Sequence, residues 1–333
     1  MGVIISGHGN YLPNNKICNK SLIETYKINS SDKWIQKKLG IYSRNWAPKG
    51  ENTSDLAFNA AQNSLLDAHV KSDSLSKIIL GTSTSDHTNL SSACRVQFLL
   101  KSSAVAYDIV SACASFIFAL QSAIDSVQLG AENVLCIGAD VKSRFVNKSD
   151  RKFLPIFGDG AGALLLNKSN LNEGFLSIHL WTNGQYFHDL YNPAGGSAMP
   201  ASYETVANDL HVTTMKADGY FITTLASDLM AEIAKTACDK AKIDIKDVDY
   251  FIPHHANFNI MKLVANNLNI DSSKIFSTIH YTGNMVAASL PFALSELLKR
   301  NINPGSLILL VSLGAGASGG ATVYRTPTKT DND

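Results

Sequence analysis

The sequence has few charged residues, almost no net charge and no long apolar run. Only 17% of the 333 residues are charged, and 29 basic against 28 acidic residues leave a net charge of +1. A near-neutral chain lacks the basic surface of a nucleic-acid-binding protein and the composition of an acidic tail. No stretch reaches the roughly 18 consecutive apolar residues of a membrane-spanning helix. We therefore expect neither nucleic-acid binding nor a membrane span.

Cysteine is scarce and irregularly spaced. The chain has five cysteines and no C-x-x-C motif, which argues against a disulfide framework and against a zinc site. The first residues also lack the basic and apolar regions of a secretory signal. We expect a cytoplasmic protein with free thiols and no metal. The cysteines are Cys18, Cys94, Cys113, Cys136 and Cys238.

Strand-like and helix-like segments alternate along the chain, which is typical of an α/β protein with buried sheets. Apolar runs predict strands at 77–80, 133–137, 161–166, 250–252 and 306–312. Amphipathic stretches predict helices at 55–68, 114–129, 225–241, 257–268 and 291–298. At about 150 residues per domain, the length suggests two units. We expect two similar α/β halves in tandem, covering residues 1–172 and 173–333.

Cys113 lies at a predicted corner between a short strand ending near Asp108 and a helix. The unpaired N–H groups at a helix N-terminus favour a thiolate, so we predict a lowered pKa for this thiol. Small residues at 111–115 would let a substrate carbonyl approach the sulfur. Local context alone leaves an inert buried cysteine equally open, and that interpretation is preferred for the other four cysteines.

Two adjacent histidines follow the strand that ends at Pro253. The carboxyl end of a strand faces the ligand crevice of an α/β fold, where an imidazole can be a base, an acid or a neutral donor. For His255 taken alone we favour a loop side chain facing solvent. A metal shared by His254 and His255 is not expected, because neighbouring side chains point apart.

Two glycine-containing turns complete the candidates. The Gly283-Asn284 pair predicts a tight turn whose amide can donate to an enolate or an oxyanion, and a purely structural asparagine is the alternative. Residues 314–319 match G-x-G-x-x-G, but no helix and no acidic residue follow at the required distance. A dinucleotide site is thus excluded, and a turn lining a site or close packing of two strands is favoured.

Together these segments resemble the ketoacyl synthase III family of thiolase-fold condensing enzymes over about residues 1–325. The motifs that carry the resemblance are Ser31-Asp-Lys-Trp-Ile35, Ala112-Cys-Ala114, Phe157-Gly-Asp-Gly-Ala-Gly162, Pro253-His254 with Ala256-Asn257, Gly283-Asn284 and Gly314 to Gly320. The resemblance implies a five-layered αβαβα thiolase fold made of two similar halves, and a homodimer.

The resemblance also implies a role for each central residue. Cys113 would take an acyl group from a thioester of coenzyme A or acyl carrier protein. His254 and Asn284 would hold the malonyl thioester, whose decarboxylation gives an enolate that attacks the acyl-cysteine. The backbone N–H groups of Cys113 and Ala315 would form the oxyanion hole for acyl transfer. No metal and no bound organic cofactor is implied.

Residues at the family's carrier-binding positions are only partly matched. Trp34 and Arg151 match positions that contact the adenine and phosphates of the carrier, and Asn257 falls in the same group. Lys38 and Asn259 stand where family members that prime fatty-acid synthesis usually carry arginine. Lysine keeps the charge but loses the planar fork, whereas asparagine removes the charge.

The acyl pocket departs from the family as well. Asn89 stands where an aromatic residue often reaches across the dimer, and Met285 with Val286 replaces the usual Thr-Ser pair. These departures favour a specialised member, in secondary metabolism or surface-polymer decoration. The polar segment 183–214 is expected to cover part of the pocket.

Other functions were weighed against condensation. A thiolase-fold acyltransferase acting on an alcohol or amine needs no decarboxylation, and the presence of Asn284 favours condensation over it. A hydroxymethylglutaryl-type synthase needs a glutamate at 81–86, where the chain has none, and a papain-like protease lacks two α/β halves. A non-catalytic partner subunit would normally have lost Cys113.

Overall fold

Two β-sheets, separated by helices and covered by others, form the frame of the molecule. The computed structural model describes residues 2–169, 173–216 and 219–328. The strands are β1 (Gly2–Tyr11), β2 (Lys16–Cys18), β3 (Ser43–Asn45), β4 (Lys77–Gly81), β5 (Val105–Ile109), β6 (Val134–Asp140), β7 (Gly160–Ser169), β8 (Gly174–Thr182), β9 (Leu190–Tyr191), β10 (Thr214–Met215), β11 (Tyr250–Pro253), β12 (Leu307–Gly314) and β13 (Ser318–Arg325). The helices are α1 (Asn19–Tyr26), α2 (Asp32–Leu39), α3 (Thr53–Asp67), α4 (Ser92–Leu100), α5 (Ser115–Gln128), α6 (Tyr203–Ala207), α7 (Gly219–Ala241), α8 (Phe258–Asn267), α9 (Ile279–Thr282) and α10 (Ser289–Leu298).

Each large sheet is built from one half of the chain. The first has five strands in the order β1-β7-β6-β4-β5, with β4 parallel to both β5 and β6. The second has four strands in the order β11-β12-β13-β8, with β11 parallel to β12. Small two-stranded sheets join β2 to β3 and β9 to β10. The predicted boundary between the halves falls at 170–172, outside the described residues.

Alternating side chains hold the layers together, because successive residues of a strand point to opposite faces of a sheet. In β6, Leu135 and Ile137 pack against α3 and α4, whereas Cys136 faces α5 and α10. In β12, Leu309 packs on the side of α7 and α8, and Leu310 faces the same central helices as Cys136. The resulting order, helices, sheet, helices, sheet, helices, confirms the predicted five-layered αβαβα fold.

The predicted elements are largely confirmed, with differences at their ends. The helix predicted at 114–129 is α5, and the strand predicted at 306–312 is β12. The helix predicted from residue 225 begins earlier, at Gly219. The prediction missed its start because the first residues are aromatic and β-branched, which weakens the helical pattern of the sequence. No helix in the described parts of the chain is long and apolar enough to cross a bilayer.

Candidate active site

A cavity of about 280 Å³ contains the three residues proposed for catalysis. Cys113, His254 and Asn284 all contribute to its wall, together with Asn257 and Ala315. The rest of the wall is mostly apolar, as is usual for a site that binds a small organic group. It includes Phe153, Ile156, Phe157, Tyr186, Leu190, Met215, Leu225, Leu229, Ile260 and Leu313.

Cys113 is held at a corner where the backbone is constrained. It lies in a short 3₁₀ turn, Ala112–Ala114, between β5 and α5. Ala112 has a φ of 48°, in the left-handed region that a non-glycine residue rarely adopts. The hydroxyl of Ser312, at the end of β12, donates to the Cys113 carbonyl over 2.8 Å. The second sheet therefore fixes the position of the candidate nucleophile, Cys113, which follows the last strand of the first sheet.

The prediction of a lowered pKa for Cys113 is wrong. Burial raises the pKa of this thiol to about 12, and the positive charge of Lys142 offsets only part of that effect. The physical reason is the apolar wall, which disfavours a thiolate more than the start of α5 favours it. The thiol is thus protonated at neutral pH, and acyl transfer needs a group that accepts its proton.

The turn after β12 lies directly against Cys113. A Cβ atom on Gly314 would lie 2.6 Å from the backbone nitrogen of Cys113, so only glycine allows this approach. Ala315, the next residue, lines the cavity. The glycine-rich stretch is accordingly both a site-lining turn and a close contact between two chain segments. The structure brings together the two residues predicted to form the oxyanion hole.

His254 is a buried, uncharged donor. Its backbone is fixed to the second sheet by a 2.8 Å hydrogen bond from its N–H to the Val311 carbonyl. Only 2% of the residue is exposed, and neither ring nitrogen has a partner within the described residues. Burial lowers its pKa to about 4, so the imidazole is neutral at physiological pH. A neutral imidazole offers one N–H donor and one acceptor nitrogen.

The expectation of a solvent-facing His255 is wrong. This side chain is fully buried, and burial, followed by the nearby rings of His254 and His280, lowers its pKa to about 3. The chain turns tightly at this residue, since the Ala256 N–H donates to the His254 carbonyl over 2.8 Å just before α8. Both histidines are therefore retained inside the protein.

Asn284 is fixed by its backbone and by one side-chain atom. Its N–H donates to Ile156 over 2.9 Å, and the Gly158 N–H donates to its carbonyl over 3.0 Å. The side-chain Oδ1 accepts from the Val286 N–H over 2.8 Å. Because a backbone N–H can bond only to an acceptor, this contact fixes the amide orientation and leaves the NH₂ group as a donor.

Sequence reasoning missed a buried carboxylate that orders the same turn. Asp140 ends β6, and one of its oxygens accepts from the Ala287 N–H over 2.9 Å. The other accepts from the hydroxyls of Thr82, Ser83 and Thr84 at 3.2, 3.0 and 2.7 Å. An acidic residue at the carboxyl end of an apolar strand is the signal that points to it.

The residues predicted to bind the carrier lie apart from the cavity wall, except Asn257. Arg151 lies over the indole of Trp34 at 5.7 Å, and its guanidinium donates to the Asn29 carbonyl over 3.1 Å. Lys38 is exposed at the end of α2. The side-chain oxygen of Asn257 caps α8, which leaves its amide nitrogen to face a ligand.

Neither residue predicted for the acyl pocket lines the cavity of a single chain. Asn89 is exposed in the segment before α4. Met285 is completely buried beside Phe292 and Leu12, which places it outside the cavity wall. The prediction that residues 183–214 cover part of the pocket is confirmed by Tyr186, Asp189 and Leu190 in that wall.

No metal site is visible in the parts of the chain that the structure describes. No group of three or more histidine, cysteine, aspartate or glutamate side chains there is arranged to hold an ion. The site residues are a thiol, an imidazole and an amide, a set suited to nucleophilic acyl chemistry.

The fold and the cavity define a thiolase-fold protein of the condensing class. Residues 107–184 match the family model for 3-oxoacyl-[acyl-carrier-protein] synthase III, and residues 238–326 match the model for its C-terminal part. The chain therefore belongs to the 3-oxoacyl-[acyl-carrier-protein] synthase III family.

Full-length relatives agree with this assignment. A β-ketoacyl-[acyl-carrier-protein] synthase III of Clostridioides difficile is 38% identical over 96% of this chain and 97% of its own length. One from Syntrophomonas wolfei is 38% identical over 98% of each chain. The crystal structure of 3-oxoacyl-[acyl-carrier-protein] synthase III from Aquifex aeolicus superposes with a TM-score of 0.88, at 34% identity over 97% of this chain and 100% of that one.

Proposed function

We propose that the protein is a β-ketoacyl synthase III-like enzyme that condenses an acyl group, held on Cys113, with a malonyl thioester. One observation carries the proposal. A single cavity contains a thiol, the His254 imidazole, whose ring nitrogens have no partner within the described residues, and the Asn284 amide, whose oxygen accepts from Val286 so that its NH₂ group is the donor. The relatives' names support the same reaction class.

In the first half-reaction, Cys113 takes an acyl group from coenzyme A or acyl carrier protein. The sulfur attacks the thioester carbonyl, a new S–C bond forms and the carrier's C–S bond breaks. Because the thiol is protonated at neutral pH, its proton passes to a base, for which the His254 imidazole is the candidate, and then to the departing carrier thiol. The backbone N–H groups of Cys113 and Ala315 stabilise the oxyanion formed on the way.

In the second half-reaction, a malonyl thioester loses CO₂ and its electron pair forms an enolate. The N–H of neutral His254 and the NH₂ group of Asn284 donate to the enolate oxygen. The enolate carbon attacks the acyl carbonyl, a C–C bond forms, and the S–C bond to Cys113 breaks. The released sulfur takes up one proton, so the overall products are a β-ketoacyl thioester, CO₂ and the free carrier thiol.

We propose further that this is a specialised family member. Asn89 is polar where an aromatic residue was expected, and Lys38 and Asn259 change the surface at the carrier positions. The Asn259 amide donates to the Lys38 carbonyl over 2.8 Å, so it fastens α8 to α2 and does not present a charge. Efficient turnover of acetyl-CoA with malonyl carrier protein, at the rate of an enzyme that primes fatty-acid synthesis, would contradict this.

We propose that two copies associate through β5. This strand ends the first sheet and exposes Val105 by 62%, and Val110, the residue directly after the strand, is exposed by 71%. Phe98 on the adjacent α4 is exposed by 75%, and Leu90 by 65%. An apolar edge strand of this kind is normally paired or covered. Sedimentation equilibrium is expected to give a dimer, and Val110→Glu a monomer.

Intact-protein mass spectrometry tests the reaction. The full chain is exposed to a series of acyl thioesters and then to malonyl carrier protein. We expect a mass gain that is absent in Cys113→Ala and is cleared by the malonyl donor with release of a β-ketoacyl product. A gain that the malonyl donor does not clear would favour acyl transfer to another acceptor. Absence of any gain would favour a non-catalytic subunit.

A further inference from the structure

Lys142 is a partly buried cation whose charge acts on Cys113, and the reaction described above does not use it. It follows β6 directly and begins a 3₁₀ turn, Lys142–Phe145. Its ammonium group lies over the ring of Phe157, 5.7 Å from the ring centre. Phe157 lines the cavity and packs in one apolar cluster with Cys113 and Val286. Lys142 is not itself a lining residue, so its positive charge lies beside a side chain of the wall, the Phe157 ring.

The Lys142 ammonium group has more N–H donors than acceptors among the described residues. It donates to the Thr213 hydroxyl over 2.7 Å, and that hydroxyl donates in turn to Asn192 over 2.8 Å. This pair of hydrogen bonds fixes one of the three N–H groups of Lys142. No carboxylate of the described residues lies within 4 Å of it, whereas four lysine or arginine contacts to a carboxylate of that length are present among those residues.

Asp140, the carboxylate whose charge acts on Lys142, already has other hydrogen-bond partners. Asp140 raises the lysine's pKa through its charge, but burial has the larger effect and lowers it. Both oxygens of Asp140 already accept hydrogen bonds, from Thr82 to Thr84 and from Ala287. A partly desolvated ammonium with unused N–H groups is costly unless an anionic or strongly polar partner is supplied.

The ammonium of Lys142 contrasts with the cavity wall that it adjoins through Phe157. Most lining side chains are aliphatic or aromatic, and the two charged ones, Lys152 and Asp189, are opposite in sign. In an apolar site, a few polar groups determine which ligand is selected. An alkyl chain lying against Lys142 would leave its N–H groups unpaired, whereas a carboxylate at the chain end would pair with them.

We propose that Lys142 makes the acyl site selective for acyl thioesters whose chain ends in a carboxylate. The inference rests on the proposed function, because it concerns the acyl group that Cys113 accepts. The chemistry is unchanged: the Sγ–C bond forms, the carrier's C–S bond breaks, and the carrier leaves as a thiol. The distal carboxylate does not react and pairs with the Lys142 ammonium.

The test compares thioesters matched in length. The purified full chain is incubated with succinyl-CoA against butyryl-CoA, glutaryl-CoA against valeryl-CoA, and adipyl-CoA against hexanoyl-CoA, and acylation of Cys113 is followed by intact mass. A charge-assisted hydrogen bond predicts that at least one dicarboxylic partner reacts about 10- to 100-fold faster than its matched alkyl chain.

Two lysine variants assign the effect to a residue. Lys142→Met keeps the chain length and removes the charge, so we expect it to abolish or invert the preference. Lys148→Met is the matched control: Lys148 is also a half-buried lysine over an aromatic ring, at 4.4 Å from that of Trp46, and it donates to the Ser143 carbonyl. We expect this variant to keep the wild-type preference.

The outcomes separate the inference from the proposed function. If alkyl thioesters acylate Cys113 as well as their dicarboxylic partners, the inference is overturned and the proposed function stands. If the preference exists but survives in folded Lys142→Met, the assignment to Lys142 is overturned. If no thioester acylates Cys113, the proposed function fails and the inference fails with it. If Lys142→Met does not fold, the comparison of dicarboxylic with alkyl thioesters on the wild-type protein still tests the selectivity.

Discussion

Replacing Asn284 by alanine removes two contacts of different kinds from the cavity wall. The first is the NH₂ group that faces the cavity and, in the proposed mechanism, donates to the enolate. The second is the 2.8 Å hydrogen bond that its Oδ1 accepts from the Val286 N–H. The first loss affects chemistry and the second affects stability, so the two can be measured separately.

The chemical effect follows from the role of the donor. Removing one preorganised donor to a developing oxyanion typically lowers the rate by about 100- to 1000-fold. We expect condensation to fall by this amount in Asn284→Ala. In the proposed mechanism, transfer of the acyl group to Cys113 uses a different pair of donors, so we expect its rate to stay close to that of the wild type. Single-turnover intact mass resolves the two half-reactions.

The stability effect follows from the backbone that Asn284 supports. Val286 has a φ of 52°, a strained conformation for a β-branched residue, and it is almost fully buried. Its N–H loses its acceptor in Asn284→Ala, and a buried unpaired N–H costs about 1–3 kcal/mol. We expect the free energy of unfolding in urea to fall by that amount.

A matched control separates these effects from the loss of any asparagine. Asn167, in β7, accepts from the Asn133 N–H over 2.8 Å, far from the cavity. We expect Asn167→Ala to lose comparable stability while retaining condensation. A loss in condensation of less than about tenfold in folded Asn284→Ala would refute the proposed donor role. An equal loss in both half-reactions would show that Asn284 acts only by holding the site together.

Three further predictions concern acidity and space. Because the pKa of the Cys113 thiol is raised to about 12, the rate of its alkylation by iodoacetamide is expected to rise about tenfold per pH unit from pH 7 to 10. A plateau of that rate below pH 9 would contradict this. The pKa of His255 in the folded protein is about 3, below its ordinary 6.5. As the pH falls below 6.5, the unfolded chain therefore binds the proton first, and the free energy of unfolding declines until about pH 3. Urea unfolding at pH 7 and pH 5 should show that His255→Gln loses less stability on acidification than the wild type, by about 1 kcal/mol per pH unit. If the free energy of unfolding depends on pH equally in both proteins, that result would count against a buried neutral ring. Gly314→Ala places a Cβ 2.6 Å from the Cys113 nitrogen and is expected to lower acylation at least about tenfold, whereas Gly196→Ala, where nothing lies within 4 Å, should acylate normally.

Much of the fold follows from local pattern. The helix predicted at 114–129 and the strand predicted at 306–312 are present because period and length are properties of a single segment. Motif order was equally informative: Cys113 and His254 were identified at strand ends and Asn284 in a Gly-Asn turn, the family resemblance implied their roles, and the structure brings all three to one cavity. What these residues are was thus readable from the sequence before their neighbours were known.

The environment of each residue was decided by the tertiary structure. The start of α5 argued for an acidic Cys113 thiol, but the apolar walls supplied by both halves raise its pKa instead. His255 looked like a loop residue, yet the turn before α8 buries it. Met285 adjoins Asn284 in sequence, but its side chain packs into a different cluster.

The identity of the reactive groups was therefore determined by the sequence, and their acidity, accessibility and partners by the assembled fold. A thiol, an imidazole and an amide are covalent facts that a motif can display. Desolvation and charge depend on every segment packed around a group, including segments remote in the chain. For this reason the hydrogen bond of Asp140 to Ala287 and the position of Lys142 over Phe157 became visible only in the assembled structure.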